Sequence, residues 1–398
     1  MSPTSSHLRD IPIETILIHR HGRHSPLARA RLGIDLMADA SNRIAPRGLE
    51  LWQAGYDTVA VRPGDGAALE AAGWDGKMAM DSQSLAADPY VVLSALAVDS
   101  AHLKLGTSVT NPYTRHPAVT AAAMVSLQAL SRGRAVLGIG RGDSSLAYLG
   151  RAPLSVEAFE RCLSALQSYL RGEAVPFEAL DWSGAGAPSL ETIELGRAPE
   201  AAQLRWIPED LPKVPLDVAA TGPRVIAAAA RRAERVTLGV GAAPERVAWA
   251  VDIARKARAD SSIGAQVIVM PHPDPERARR FAAGLTASLA RFSTLNGRTV
   301  GPASPAEFEV FENLRAHYDM NQHGRAPEGV LTADFVDRFA VVGTPDHCVD
   351  RLARLVELGI TRFVICGPLG WTDPAEEQIS RDLLTAEVLP ALRKTVAP

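Results

Sequence analysis

The residues able to do chemistry in this chain cluster behind short apolar runs. Asp81, Ser82 and Gln83 follow the run from Lys77, and Ser108-Val109-Thr110-Asn111 follows the run from Leu103. Gly138-Ile-Gly-Arg-Gly-Asp143 closes the run from Ala135, and Ala219-Ala220-Thr221-Gly222 closes the run from Val214. Gln53, Gly239-Val-Gly241 and His272 end three more. The set is rich in glycine and hydroxyls and poor in strong acids and bases. No Ser-His-Asp order, HExxH or GxSxG accompanies it, so hydrolysis by a protein nucleophile or a bound metal is hard to assemble.

Two of these segments suit a ligand with a flat or anionic part. In Gly138 to Asp143 the glycines allow close backbone approach beside a strand end, although the third stands in the wrong place for G-x-G-x-x-G. A tight turn that needs glycine for its backbone angles is the reading that composition alone favours for this run. Thr221-Gly222-Pro223, with Arg224 beside it, falls between a strand and a helix, where free amides and the positive helix end favour an anion. The plainer reading is a helix cap with Thr221 as acceptor. Near the start, Leu17-Ile-His-Arg20-His21-Gly22-Arg23-His24 resembles the Arg-His-Gly signature of histidine phosphatases. That match covers a few residues, has no downstream proton donor, and is not followed by the element order of that fold.

Placing the chemical residues requires a scaffold. The chain has 398 residues, 46% apolar and 22% charged, with a net charge of −3. That is enough for a large core, and there is no basic excess to neutralise nucleic-acid phosphates. Three scattered cysteines, Cys162, Cys348 and Cys366, form neither a disulfide framework nor a zinc cluster and fit a reducing compartment. No apolar stretch is long enough to span a membrane. The first apolar run, Ile11–Ile18, is broken by Glu14 and followed by His19, Arg20, His21 and Arg23, which argues against a secretory signal. A cytoplasmic protein with no metal, nucleic-acid or membrane partner is expected.

From Leu49 onward, β-rich runs alternate with helical periodicity. Strands are predicted near Leu49, Lys77, Leu103, Ala135, Val214, Val236, Ala265 and Arg362. Asp88-Pro89, Ser155 and Thr344-Pro345 read as helix starts, and Gly73, Gly172 and Gly359 as helix ends. Eight β units with intervening helices favour a closed (β/α)₈ TIM barrel over an open doubly wound sheet. The division predicted is an irregular, His- and Arg-rich N-terminal arm over residues 1–47 and one barrel domain over 48–398. Two stretches, 174–213 and 291–335, interrupt the repeat as insertions that either shape a pocket or lie on the surface.

Val109-Thr-Asn-Pro-Tyr-Thr-Arg-His-Pro-Ala-Val-Thr120 and Gly133-Arg-Ala-Val-Leu-Gly-Ile-Gly-Arg-Gly-Asp143 closely resemble the bacterial-luciferase-like flavin- and deazaflavin-dependent oxidoreductases. The branch they resemble most is that of the methylenetetrahydromethanopterin reductases. Val218 to Arg224 and Val341 to His347 match patterns of the same family in order, so the resemblance runs from about Leu49 to the C-terminus.

The resemblance implies a barrel with a flavin-type ring at its mouth. The ring would lie against Ser108 and Val109, at a bulge with a non-prolyl cis peptide. Gly140, Arg141, Gly142 and Asp143 would flank the ring or its ribityl chain. Ala220, Thr221 and Gly222 would reach the chain or its phosphate, and Asp81 would approach the pyrimidine side. Where sugar and alcohol dehydrogenases of the family carry a histidine after that acid, this chain has Ser82. Asp81, Gln83 and His272 therefore stand as catalytic candidates, with His317 as a further histidine that could approach the pocket, and His116 reads as structural.

The activity implied is hydride transfer between the deazaflavin coenzyme F-420 and a small organic substrate. The alternatives are an FMN-dependent monooxygenase supplied by a separate flavin reductase, and a flavin- or ligand-binding protein without turnover. A homodimer through the alanine-rich helix Pro117–Ser131 is also expected.

Overall fold

The computed structural model describes residues 48–55, 61–180, 187–295, 297–369 and 372–396. The N-terminal arm, including its Arg-His-Gly segment, lies outside the described residues, as does Asp181 to Gly186.

Eight parallel strands close into a barrel with helices between them. They are β1 (Glu50–Gly55), β2 (Gly76–Ala79), β3 (Lys104–Thr107), β4 (Ala135–Ile139), β5 (Leu216–Ala220), β6 (Arg235–Leu238), β7 (Ser262–Pro271) and β8 (Arg362–Cys366). Each pairs with the next, and β8 closes on β1 with Trp52 opposite Val364. The expected (β/α)₈ barrel is therefore the fold, and all eight strands fall where the sequence places them. A short strand, Val341–Gly343, also pairs with the end of β7. It is too brief to carry a periodicity of its own.

The helix starts follow from their capping residues. Asp88 accepts from the amides of Tyr90 and Val91 ahead of Pro89–Val98, Ser155 from Ala158 ahead of Val156–Leu170, and Thr344 from His347 ahead of Pro345–Glu357. Gly73, Gly172 and Gly359, after the ends of three helices, all have positive φ. His116 caps Pro117–Leu130 through Nδ1, the structural role expected of it.

Outward-facing Leu, Ile and Val of the strands pack against the helices to form the main core. Inward-facing residues fill the barrel in layers. At the base, Lys104 Nζ lies 2.5 Å from Glu50, Arg235 bonds Glu50 at 2.9 Å, and Arg235 and Arg362 both face Asp217, at 3.3 and 3.1 Å. Trp52 lies above, with the Arg235 guanidinium 5.1 Å from its ring centre. Glycines on neighbouring strands make room for the large groups. A Cβ at Gly76 would sit 2.3 Å from the Trp52 ring, and one at Gly264 would sit 2.8 Å from the Arg362 guanidinium carbon.

The two insertions part company. Residues 174–213 follow a helix and precede β5, so they emerge at the amino ends of the strands, away from the carboxyl-end mouth. There Val175–Pro176 pairs with Ala201–Ala202, and the Pro212 carbonyl accepts from Gln128 at 2.9 Å. Residues 291–335 follow β7 and its helix Pro275–Ala290 and reach the mouth.

The ion cluster makes stability acid-sensitive. Burial alone would raise the Glu50 pKa, but Arg235 and Lys104 overcome it and bring it from 4.5 to about 2. A depressed carboxylate contributes stability above its unfolded pKa and loses it as pH falls through the folded one. Urea denaturation should show about 3 kcal/mol of this contribution disappearing as the pH falls from 4.5 to 2. Glu50→Gln should flatten that part of the profile while lowering stability at pH 7 by about 3 kcal/mol, because the depressed carboxylate's contribution is removed, Lys104 loses its partner and Arg235 keeps only Asp217.

Candidate active site

Above Trp52 the inward-facing positions become small, and the barrel opens into a cavity of about 380 Å³. Every strand, or the residue that directly follows it, contributes to the wall: Ala54, Met80, Ser108, Gly140, Ala219, Gly239, Gln266 and Cys366. Six of these eight have small side chains, Met80 and Gln266 being the exceptions, and the empty space follows from those six.

The β3 end sets the shape of one wall. The Ser108–Val109 peptide is cis, as the resemblance implies. The chain then turns over β4, where the Thr110 amide donates to Gly138 O at 3.0 Å and the Gly140 amide to Thr110 O at 2.9 Å. This crossing explains two of the glycines. A Cβ at Gly138 would lie 1.8 Å from the Thr107 carbonyl oxygen, and one at Gly140 would lie 2.9 Å from Val109 Cγ2. Gly142 is the turn glycine, with φ of +86°. Close approach and tight turning therefore both occur within this one run.

All ten residues proposed from sequence for cofactor contact line this cavity: Asp81, Ser108, Val109, Gly140, Arg141, Gly142, Asp143, Ala220, Thr221 and Gly222. Asp81 accepts from Thr110 Oγ1 at 2.6 Å, and burial raises its pKa against that bond. Thr221 is not a helix cap. Its hydroxyl donates to Gly239 O at 3.0 Å, and Gly222 begins Pro223–Arg232 with no side chain on the first amides. Arg141, Arg224 and Arg298 stand on the cavity wall.

The other candidates lie elsewhere. Gln83 donates to the Ser145 carbonyl at 2.8 Å and ties the β2 end to the β4 end outside the cavity lining. His272 is buried between Glu376, at 3.2 Å, and the edge of Phe281. It lies beyond the cavity because β7 runs five residues past Gln266, its contribution to the wall. His317 is exposed and bonded to Asn313 O.

The histidine on the wall is His323, from the second insertion, which sequence reasoning did not single out. The only sign of it was the turn-like Asn321-Gln-His-Gly. Its loop is held from several sides. Tyr148 Oη donates to Met320 O at 2.7 Å, and Gly284 lets the loop settle on its helix, since a Cβ there would meet Gly324 O at 2.0 Å. Arg291 forms a two-pronged ion pair with Asp143 and lies 4.9 Å from the Tyr318 ring centre. Tyr318 Oη is 2.7 Å from His323 Nδ1. Buried Arg246 anchors the start of the insertion by donating to Ser293 Oγ and to the Val300 and Pro302 carbonyls. Burial brings the His323 pKa down to about 4, with the Arg291 cation acting in the same sense and Asp143 against it.

The family model for luciferase-like monooxygenases matches residues 66–362, and the chain belongs to that family of oxidoreductases. It is similar to a 5,10-methylenetetrahydromethanopterin reductase of Methanolobus tindarius, at 26% identity over 296 residues that span 71% of this chain and 83% of the relative. Among solved structures, the coenzyme F420-dependent tetrahydromethanopterin reductase of Methanopyrus kandleri superposes with a TM-score of 0.64 at 20% identity, over 87% of this chain and 100% of that one. The oxygenating constituent of 3,6-diketocamphane monooxygenase from Pseudomonas putida, in complex with FMN, gives 0.58 at 15% identity over 86% and 99%. Both likenesses are of fold.

Arg291→Met should raise the His323 pKa, because one of the two influences that depress it is removed. Asp143→Asn should lower it further, because the opposing carboxylate is lost. NMR titration of the His323 ring carbon checks both directions.

Proposed function

We propose that this protein transfers hydride between the deazaflavin coenzyme F-420 and a small organic substrate. The observation that carries the reading is the pairing of a small-residue chamber at the barrel mouth with three arginines, Arg141, Arg224 and Arg298, on its wall. A flat ring suits the chamber beside Val109 and Gly140. An acidic tail suits the arginines and the uncapped amides after Gly222. When bound, the coenzyme supplies or accepts the hydride, and the protein contributes placement and electrostatics. The methanopterin-reductase relatives support this reading over an FMN-dependent monooxygenase fed by a separate reductase.

In this reading Asp81, Ser108 and Val109 meet the ring, Gly140 to Asp143 flank it, and Ala220 to Gly222 receive the chain or phosphate. The second insertion faces the substrate. Residues 48–398 act as one barrel domain, with residues 1–47 as a separate arm.

We further propose a homodimer. On Pro89–Val98 and Pro117–Leu130, Val91, Val98 and Val119 are 70%, 74% and 55% exposed, an apolar face on two adjacent helices.

Titration of the full chain with oxidised F-420 and with FMN, followed by fluorescence, tests the cofactor. F-420 should bind more tightly, and preferential binding of FMN sinks the hydride-transfer reading in favour of the monooxygenase. Gly140→Val should weaken F-420 binding at least tenfold, because the side chain collides with Val109 and projects into the chamber. Light scattering should give a dimer mass, and Val98→Asp should shift it toward monomer; a monomeric native chain refutes the dimer.

A further inference from the structure

A second cavity, of about 350 Å³, opens on the outside of the barrel and meets the mouth at one ion pair. One wall is a single face of the helix Val156–Leu170. Glu157, Glu160, Arg161, Ser164, Ala165 and Ser168 recur there at three- and four-residue spacing and all line the cavity. From Glu157 to Ser168 this face rises about 16 Å along the helix axis, which makes the cavity a groove. Residues 174–176 and Arg232, the last residue of the helix Pro223–Arg232, border it from other sides. The charges along the groove are unevenly satisfied. Glu157 pairs with Arg224 and Glu160 with Arg231, so both carboxylates are occupied. Arg161 and Arg232 are exposed, and their side chains have neither an ion pair nor a hydrogen bond among the described residues. Counted with the partners of the two glutamates, four arginines stand along the groove against two carboxylates, a net positive track.

The track is continuous with the active-site cavity. Arg224 lines that cavity while its partner Glu157 lines the groove, and Val156, one residue before Glu157, also stands on the cavity wall. Arg141, on the same wall, has Arg224 and Glu157 as its charged neighbours. The Arg224–Glu157 pair is exposed on both sides, and water screens such a pair, so an incoming carboxylate can take the place of Glu157. We infer that this groove receives the acidic tail of the deazaflavin coenzyme: a chain of linked carboxylates leaves the mouth past Arg141 and Arg224 and follows the face of Val156–Leu170 to Arg161 and Arg232. The inference rests on the F-420 reading above and adds to it the course of the tail. The tail is a γ-linked glutamate chain with one carboxylate on each inner residue, so its charges repeat along its length as the arginines repeat along the groove. The attraction is between exposed charges on flexible side chains, which makes it sensitive to salt and tolerant of tail length.

The experiment titrates the full chain with F-420 carrying several γ-linked glutamates, with the same coenzyme carrying none, and with a γ-glutamyl peptide alone. Fluorescence should show that the native chain binds the tailed form more tightly than the tail-free form, and the preference should shrink as salt is raised. The double variant Arg161→Ala/Arg232→Ala should bind the tailed form about threefold to tenfold more weakly and the tail-free form as the native chain does. Arg161→Lys/Arg232→Lys, which keeps both charges, should retain most of the preference.

At low ionic strength the γ-glutamyl peptide should move the side-chain Nε–H signals of Arg161 and Arg232 in the NMR spectrum of the chain without coenzyme. Equal affinity of the native chain for the two forms of F-420, or an equal loss for both in the alanine variant, overturns the groove while leaving the F-420 reading intact. Failure of both forms to bind refutes that reading instead. The peptide titration then still decides on the groove, since it needs no coenzyme, and unmoved arginine signals overturn it.

Discussion

The barrel interior must be filled at one end and left empty at the other, and the rest of the molecule depends on how that is done. Glu50, Lys104, Asp217, Arg235 and Arg362 close the base with alternating charge. Ions buried or half-buried in this way are weak evidence of net stability, since desolvation opposes their attraction. Their effect is one of arrangement. Each long charged side chain is held by an opposite charge, and the largest groups demand a small neighbour, Arg362 against Gly264 and Trp52 against Gly76. With the bulk committed to the base and middle, Ala54, Ser108, Gly140, Ala219 and Gly239 leave the mouth open.

The mouth is then completed by chain that the barrel alone does not provide. The second insertion crosses it on two anchors of different character. Arg246 is a buried cation that donates mainly to carbonyls, with no carboxylate in direct contact among the described residues, and its burial lowers its pKa to about 10 while Glu307 and Glu245 oppose the shift. Arg291 pairs with Asp143 and so joins the insertion to the loop after β4. Farther along the chain, the loop carrying Tyr318 and His323 is fixed by hydrogen bonds and by the helix contact at Gly284. The wall that the insertion and its helix complete therefore combines an uncharged imidazole with apolar side chains.

This distribution separates two tasks within one cavity. The β3, β4 and β5 ends contribute backbone, glycine, hydroxyl and arginine groups, the chemistry that suits a ring and its charged tail. The insertion contributes mainly apolar side chains, Phe292, Leu295 and Val300, together with Arg298 and one histidine, His323. Ser82, where dehydrogenases of the resembled kind carry a base, has a buried hydroxyl with no hydrogen-bond partner among the described residues and offers no proton acceptor of comparable strength. A proton-active side chain facing the cavity comes instead from a part of the chain that is far away in sequence.

What the sequence determined by itself was local or repetitive. Strand runs, capping residues such as Asp88, Ser155 and Thr344, and the alternation of elements each depend on a few neighbouring residues, so the barrel could be read by counting. The β3 bulge, the glycine run after β4 and the Thr221-Gly222 turn were legible because they are contiguous segments at strand ends, although Thr221 proved to bond Gly239 and not to cap its helix. Tertiary structure alone decided which histidine faces the cavity. His272 and His323 are both histidines in turn-like surroundings, and their difference arises from contacts made across the fold. The length of β7 carries His272 past the mouth to Glu376, while Tyr148, Gly284 and Tyr318 bring His323 back over it. The base of the barrel escaped notice for the same reason. Glu50, Asp217 and Arg362 are far apart in the chain, and only closure of the sheet turns them into neighbours.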